Sequence, residues 1–445
     1  MAENPGLVRE RVGEATLLTL PEPSLPLVRF AFVLRHGSLV DPAGKAGCTR
    51  VMLELLMRGT QRQSRTDWNR ALERLGSQIS TSVASELTLV HGIALKRNLA
   101  ATLDLVAEAL LEPALDDEER GDLIGELVDY LHSERDSDDA IADVFWRRAL
   151  YPGHPLWRRP AGEPNELVTI TIADVCTAYK AQWRAADLIV GMSGDVTPDE
   201  AQEFMQPIVQ RFAPGYPSSA VLPPPPEPEG LTILVVDKPE RTQVQLNVGR
   251  SAASGSDPDA YAFWLGIVAF GGTFTSQFTR EVRDVRGWSY TASADFGRRR
   301  PYPSPMVLHT APAVQDAVAC LELELKLYRD LAQGVLEPGA VDFARTYLLN
   351  RYPLEIATRV DLLLPAVRNE LLGFAPDELF AVQDKLRRIT GDEVTAALKH
   401  HLHPERIAVV MVATAAVLVP SLEKKFPDAK ITVVDYRDGL ATATT

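Results

Sequence analysis

GCTRVMLELLMRGT, residues 47–60, reads as an apolar helix held between two glycines, and the rest of the chain is organised around it. Before it stand a strand-like run from Pro26 to Leu39, rich in β-branched and aromatic residues, and the turn Asp41-Pro42-Ala43-Gly44. Further back, Leu7 to Leu20 reads as a hairpin turning at Gly13-Glu14. After it, Ser64-Arg-Thr66 gives an N-cap before a helix through Trp68, Leu72 and Leu75, and Gly76 is the natural end of that helix. Gln78 to Val83 and Leu87 to Leu95 alternate as a second hairpin. Asn98 to Leu111 is amphipathic, and a long helical pattern runs from Asp116 to about Leu150. A Pro/Gly loop, a helix over Ile172–Trp183 and a buried strand over Leu188–Met192 complete the first half.

The 445 residues suffice for two well-formed domains, and 46% apolar with 24% charged residues is a globular composition. A net charge of −14 argues against nucleic acid or an anionic membrane as the main partner. Three cysteines, far apart, exclude a disulfide framework, and no Cys/His spacing reads as a zinc finger. There is no signal-like N-terminus and no run of 18 apolar residues, so the sequence as written reads as cytoplasmic, with no membrane span.

The boundary is PGYPSSAVLPPPPEPEG, residues 214–230, whose four consecutive prolines favour an extended spacer. The expected domains are residues 1–213 and 231–445, with 214–230 as linker. The second half repeats the first in order and spacing. Thr242–Gly249 stands for the strand around Phe30, Pro258–Phe270 for the organising helix, and Gly271-Gly272-Thr273 for Arg58-Gly59-Thr60. A helix from Ser276 to about Val285, a strand over Tyr290–Phe296 and helices over Val314–Gln333 and Ala340–Ala357 follow. Gly391–Val394 leading to Ile407–Met411 echoes Ile172–Val175 leading to Leu188–Val190.

The frame of residues 47–60, together with Val282-Arg-Asp-Val-Arg-Gly-Trp-Ser-Tyr290, resembles the pitrilysin, insulin-degrading enzyme and mitochondrial processing peptidase family over roughly residues 5 to 415. The resemblance implies an α+β fold of two homologous domains, each an antiparallel-rich sheet with helices packed on one face. In that family the helix carries an inverted zinc motif, His-x-x-Glu-His, a few residues before a Lys/Arg-Gly-Thr ending. Laid on Arg58-Gly59-Thr60, the first His falls at Arg50, the catalytic Glu at Leu53 and the second His at Glu54. A guanidinium has no lone pair to give a metal, so the zinc motif is lost. The family's third ligand, a Glu seven residues after a Glu-Arg pair, maps onto Glu126, with Glu119-Arg120 before it. Seven residues are nearly two helical turns, which puts Glu119 and Glu126 on one face. Arg50, four residues before Glu54, is expected to stand in for the metal by bridging Glu54 and Glu126.

In the second domain the family carries Leu-Arg-Glu-x-x-Gly-Leu-x-Tyr, whose Arg and Tyr reach substrate; the matching residues here are Arg283 and Tyr290, with Arg280 as a rival arginine. A phenol and a guanidinium can both donate to a peptide carbonyl as it becomes an oxyanion. The resemblance therefore implies a non-catalytic subunit, with no cofactor of its own. Its partner would be a homologous subunit that bears the zinc (a homodimer is possible in isolation), and its substrate a peptide. The rival reading is a structural or assembly subunit of the same fold. An active peptidase using Glu54 and Glu126 would lack a base at Leu53. His400, His401 and His403 form a cluster, but neighbouring histidines on a helix diverge by about 100°, so the expectation is a solvated helix end. Gly271-Gly272-Thr273 is not followed by the Lys of a phosphate loop, and no Ser or Cys sits in a nucleophile motif.

Overall fold

The computed structural model describes residues 6–215, 223–297, 302–355, 359–375 and 378–438. The first sheet contains β1 (Val8–Val12), β2 (Ala15–Pro21), β3 (Leu27–Leu34), β4 (Gln78–Val83), β5 (Thr88–Leu95) and β6 (Leu188–Gly194), in the order β1-β2-β6-β3-β5-β4. The second contains β7 (Leu231–Asp237), β8 (Gln245–Ser251), β9 (Ala292–Phe296), β10 (Pro305–Thr310), β11 (Ile407–Ala413) and β12 (Lys430–Asp435), in the order β12-β7-β11-β8-β10-β9.

The two orders superimpose. β2 lies parallel to β6 as β7 lies parallel to β11, and β3 is antiparallel to β6 and β5 as β8 is to β11 and β10. Only the outer strand differs: β1 is the antiparallel arm of a hairpin, whereas β12 adds parallel to β7. The duplication expected from spacing is thus a duplication of topology, and the fold is α+β with two domains of one plan.

Alternation along the strands makes two apolar faces. In the first sheet Leu17, Phe30, Phe32, Val90, Val190 and Met192 face a core built with the helices Cys48–Leu56, Leu99–Leu111 and Asp117–Ser133. The opposite residues, Leu18, Leu20, Ala31, Val33 and Ile189, are covered by Leu362, Leu363, Ala366 and Val367 of the Arg359–Leu371 helix. Close approach there needs Gly191, since a Cβ would stand 2.7 Å from Leu363 Cδ1. The second sheet follows the same plan. Helices Ala260–Gly271, Ala317–Ala332 and Gly391–His401 contribute to its main core, and the Asp138–Leu150 helix packs on β8, β11 and β7.

The compact units are therefore not the contiguous stretches 1–213 and 231–445. One comprises residues 1–132, 158–221 and 354–381, the other 133–157, 222–353 and 382–445. The sequence-based expectation of helices on one face of each sheet omits the single helix that each second apolar face requires. The continuous helix expected from Asp116 to Leu150 is likewise two helices. Asp117–Ser133 ends in a short 3-10 turn, Glu134–Asp136, and Ser137 then caps Asp138–Leu150 through Ala140 N–H. Of the expected linker, residues 216–222 lie outside the described residues. The Pro223–Gly230 stretch is neither helix nor strand, but it is pinned: Pro223 O is 2.9 Å from His154 Nε2, and Glu227 pairs with Arg406 and, at 3.1 Å, with buried Arg250. No helix among the described residues is long and apolar enough to cross a membrane.

Candidate functional site

The organising helix, Cys48–Leu56, is fixed at its start by a buried carboxylate. Asp41 accepts from Gly47 N and Thr49 N, each at 2.8 Å, and from Thr49 Oγ1 at 2.7 Å. An anion there compensates the unsatisfied N–H groups of a helix N-terminus. Burial pushes the Asp41 carboxyl up, and these hydrogen bonds do not fully reverse it. Gly47 holds φ +96°, which turns the chain into the helix.

On this helix Leu53 is buried among Val51, Met52, Leu55 and Leu56. It fills the core where a general base would be needed. Arg50 Nε donates to Glu54 at 2.7 Å, and its guanidinium lies over the Tyr130 ring at 5.7 Å. The expected bridge to Glu126 does not form. Glu126 is 56% exposed and is held by Arg58, which also lies 3.4 Å from Glu119; Arg65 pairs with Glu119 at 3.2 Å. Arg58 is itself buried, so the compact charge at the helix end captures both carboxylates, whereas Arg50 is satisfied by the residue one turn on. The Arg58 hydrogen bond holds the Glu126 carboxyl below the usual carboxylate range. The position thus offers two arginine cations, a core leucine and carboxylates that are already paired. It contains no imidazole or thiolate, and it does not fit a zinc ion.

The second locus lies in the other unit and is built differently. After the Ala260–Gly271 helix the chain turns into Gln277–Thr279 and then a π-helical turn, Arg280–Val285, closed by Gly287 at φ +66° with Gly287 N donating to Arg283 O. Such turns widen the helix by one residue and re-aim its side chains. Arg280 is tied to Glu337, with Nη1 to Oε2 at 2.9 Å and a second, shorter contact, and this pairing holds Glu337 below the usual carboxylate range. Arg283 has no carboxylate partner among the described residues. Its guanidinium lies 3.8 Å from the Phe274 ring centroid and 4.8 Å from that of Tyr290, and its Nη1 is buried without a hydrogen-bond partner. Phe274 is 65% and Tyr290 81% exposed. The structure therefore separates the two arginines that the sequence left as rivals. Ser289 Oγ donates to Thr291 O and accepts from Ala311 N at 2.8 Å, anchoring the loop on which Tyr290 stands.

The histidine cluster is not a solvated helix end. His401 is buried and His400 exposed, yet both reach the carboxylate of Asp259; only His403 stands apart, 3.5 Å from Glu405. Asp259 had no sequence signal of its own, because it lies 141 residues away from His400.

Residues 18–132 match the sequence family described as Insulinase (Peptidase family M16), and residues 169–346 match the Peptidase M16 inactive domain. An uncharacterized zinc protease of Streptomyces coelicolor is 24% identical over 353 residues, spanning 74% of this chain and 72% of its own length. One of Mycobacterium tuberculosis strain H37Rv is 27% identical over 406 residues, spanning 87% of this chain and 89% of its own. The crystal structure of a peptidase M16 inactive domain from Pseudomonas fluorescens superimposes with a TM-score of 0.84 over 97% of this chain and 99% of that one, at 18% identity.

Proposed function

The chain belongs to the insulinase family, peptidase family M16, and on that premise we propose that it is the catalytically inactive subunit of a heterodimeric zinc metallopeptidase. Its partner is a homologous subunit carrying the intact zinc motif, and its substrate is an extended peptide. This chain supplies Arg283 and Tyr290, and the catalytic metal belongs to the partner. The observation that carries the reading is the state of Arg283: a cation with no carboxylate among the described residues, lying over two largely exposed aromatic rings, with one buried N–H donor unpaired. Stacking fixes the plane of a guanidinium while leaving its hydrogen-bonding edge available. The Tyr290 hydroxyl likewise has no hydrogen-bond partner among the described residues. Two such donors suit a peptide carbonyl that becomes negatively charged as it turns tetrahedral.

A second reading is a structural or assembly subunit with no part in proteolysis. The degenerate metal position is compatible with both, and the unpaired Arg283 favours the first.

The test is co-expression with a homologue that bears His-x-x-Glu-His, followed by peptide turnover of the purified complex. Tyr290→Phe should lower kcat by about 100-fold or more, the usual cost of losing one oxyanion donor, without dissociating the complex. Unchanged turnover would leave the scaffold reading in its place.

A further inference from the structure

The Gly391–His401 helix ends at His401, where the backbone passes to the extended Leu402. The two imidazoles that should diverge there instead lie side by side, with ring centroids 4.3 Å apart and planes tilted by 37°. They converge on Asp259, the residue preceding the Ala260–Gly271 helix: His400 Nδ1 lies 3.0 Å from Oδ2 and His401 Nε2 lies 2.8 Å from Oδ1. An aspartate at such a position ordinarily caps its own helix. Asp259 makes no capping side-chain hydrogen bond within that helix and turns its carboxylate to the rings. His401 is 7% exposed and packs edge-on against Phe263 at 5.2 Å, which fixes its orientation; His400 is 69% exposed and leaves the cluster open to solvent. One donor atom from each of the three residues lies within 4.8 Å of the other two.

We propose that Asp259, His400 and His401 form a binding site for a borderline divalent transition ion, with Zn2+ as its reference ligand. Two imidazoles and one carboxylate are a donor set suited to such ions, and three protein ligands leave a fourth position for water. In a tetrahedral site with bonds of about 2.0–2.1 Å, neighbouring ligand atoms stand roughly 3.3 Å apart. The N···O separations of 3.0 and 2.8 Å are to the two different oxygens of Asp259, so binding one ion turns the carboxylate or a ring until one oxygen and both ring nitrogens, now within 4.8 Å of one another, close to about that spacing. The ring protons that now point at the carboxylate move to the other ring nitrogens or to solvent as the ion binds, and the exposed His400 has room to turn towards it. Bound there, it clips the end of one helix to the start of another within one unit and acts as a structural tie. This site is separate from the degenerate position at Arg50, Leu53 and Glu54, and it makes no claim on catalysis.

The experiment is isothermal titration of the full chain with ZnCl2, paired with thermal unfolding at the same concentrations. One saturable Zn2+ per chain and a rise in the unfolding temperature are expected. His400→Ala, which removes an exposed side chain and is safe for folding, should weaken binding by more than about 10-fold and abolish the thermal shift. Asp259→Asn should do the same, and Glu126→Gln should bind as the wild type does. Absence of saturable binding, or affinity in His400→Ala and Asp259→Asn within threefold of the wild type, overturns the proposal and leaves the cluster as a hydrogen-bonded tie between helix ends.

Discussion

Replacing Glu324 by glutamine should remove a pH-dependent loss of stability from the second unit, so that the variant gains on the wild type as pH rises. Glu324 sits on the Ala317–Ala332 helix with no exposed surface. Its Oε1 accepts from Thr310 Oγ1 at 2.6 Å and from Cys320 Sγ at 3.4 Å, and its Oε2 has no hydrogen-bond partner. Burial pushes the carboxyl up from 4.5 to about 8, against the pull of those two hydrogen bonds. Between these values the folded chain holds a proton that the unfolded chain has released, so stability falls as pH rises through the interval. The stability is fully present below 4.5 and is lost progressively towards 8. At about 1.36 kcal/mol per pH unit, the loss is somewhat under 1 kcal/mol at pH 5 and about 3 kcal/mol at pH 7. Glutamine keeps the Oε1 acceptor and carries no charge at any pH. Whatever its unpaired amide N–H costs, that cost is the same at both ends of the range. Glu324→Gln should therefore gain about 2–3 kcal/mol on the wild type between pH 5 and pH 7, roughly 5–10 °C for a unit of this size. Scanning calorimetry of both proteins at pH 5, 6, 7 and 8 measures it. A wild-type to variant difference that stays constant across that range would refute the assignment of a buried, proton-holding carboxyl.

Two further outcomes follow from the first unit. The purified chain should cleave no casein-type peptide, and Arg50→His should not change that, because Leu53 is a core residue and supplies no base; chelator-sensitive cleavage by either protein would contradict the degenerate site. Gly47→Ala should lower the unfolding transition of the first unit by about 2–4 kcal/mol, the sum of left-handed strain and overpacking. The new Cβ would stand 2.6 Å from Leu167 Cδ2 and 2.9 Å from Gly162 Cα at φ +96°, so an unaltered transition would show that the helix start yields.

What the sequence revealed and what it hid divide along a physical line. Patterns local to one element were legible: the Ser64 cap, the Gln78–Val83 and Thr88–Leu95 pairing, and the repeat that places β8 where β3 stood. Local patterning also misled where two helices abut, because Glu134 to Ser137 are polar residues that a helix tolerates, and only the Ser137 cap marks the break. The second sheet faces were hidden for another reason. Ile189 lies in a strand that reads as buried, but nothing nearby in sequence says that residues near 363 cover it and Val33. The same limit applied to charge. The sequence pointed to Arg50 as the partner of Glu126, and tertiary structure gave that carboxylate to the buried Arg58 instead. Asp259 became visible only when folding brought it to His400 and His401.

The two halves of the duplication treat charge in opposite ways, and the contrast bears on function. At the degenerate position every arginine is closed off: Arg50 by Glu54, Arg58 by Glu119 and Glu126, and Arg65 by Glu119. Such pairs are partly exposed, cost little to maintain and leave nothing for a ligand to bind. In the second half Arg280 is closed in the same manner by Glu337, yet Arg283, one turn further along the widened helix, is not. Among the described residues its charge meets the faces of Phe274 and Tyr290, both largely exposed, and no carboxylate. A ring face is worth about 0.5–1 kcal/mol to a cation at an exposed site, and it accepts no hydrogen bond from the guanidinium edge. Leaving a buried N–H unpaired costs about 1–3 kcal/mol. A subunit that served only as scaffold could relieve that cost with one acidic residue nearby, as Glu337 does for Arg280. Under the proposed function, the Phe274 and Tyr290 rings move as peptide binds and a peptide carbonyl becomes the acceptor that this buried donor lacks, without requiring a second charge. Arg283→Met should therefore leave the fold stable or slightly stabilised while weakening peptide binding by the complex, a combination that a purely structural arginine would not produce.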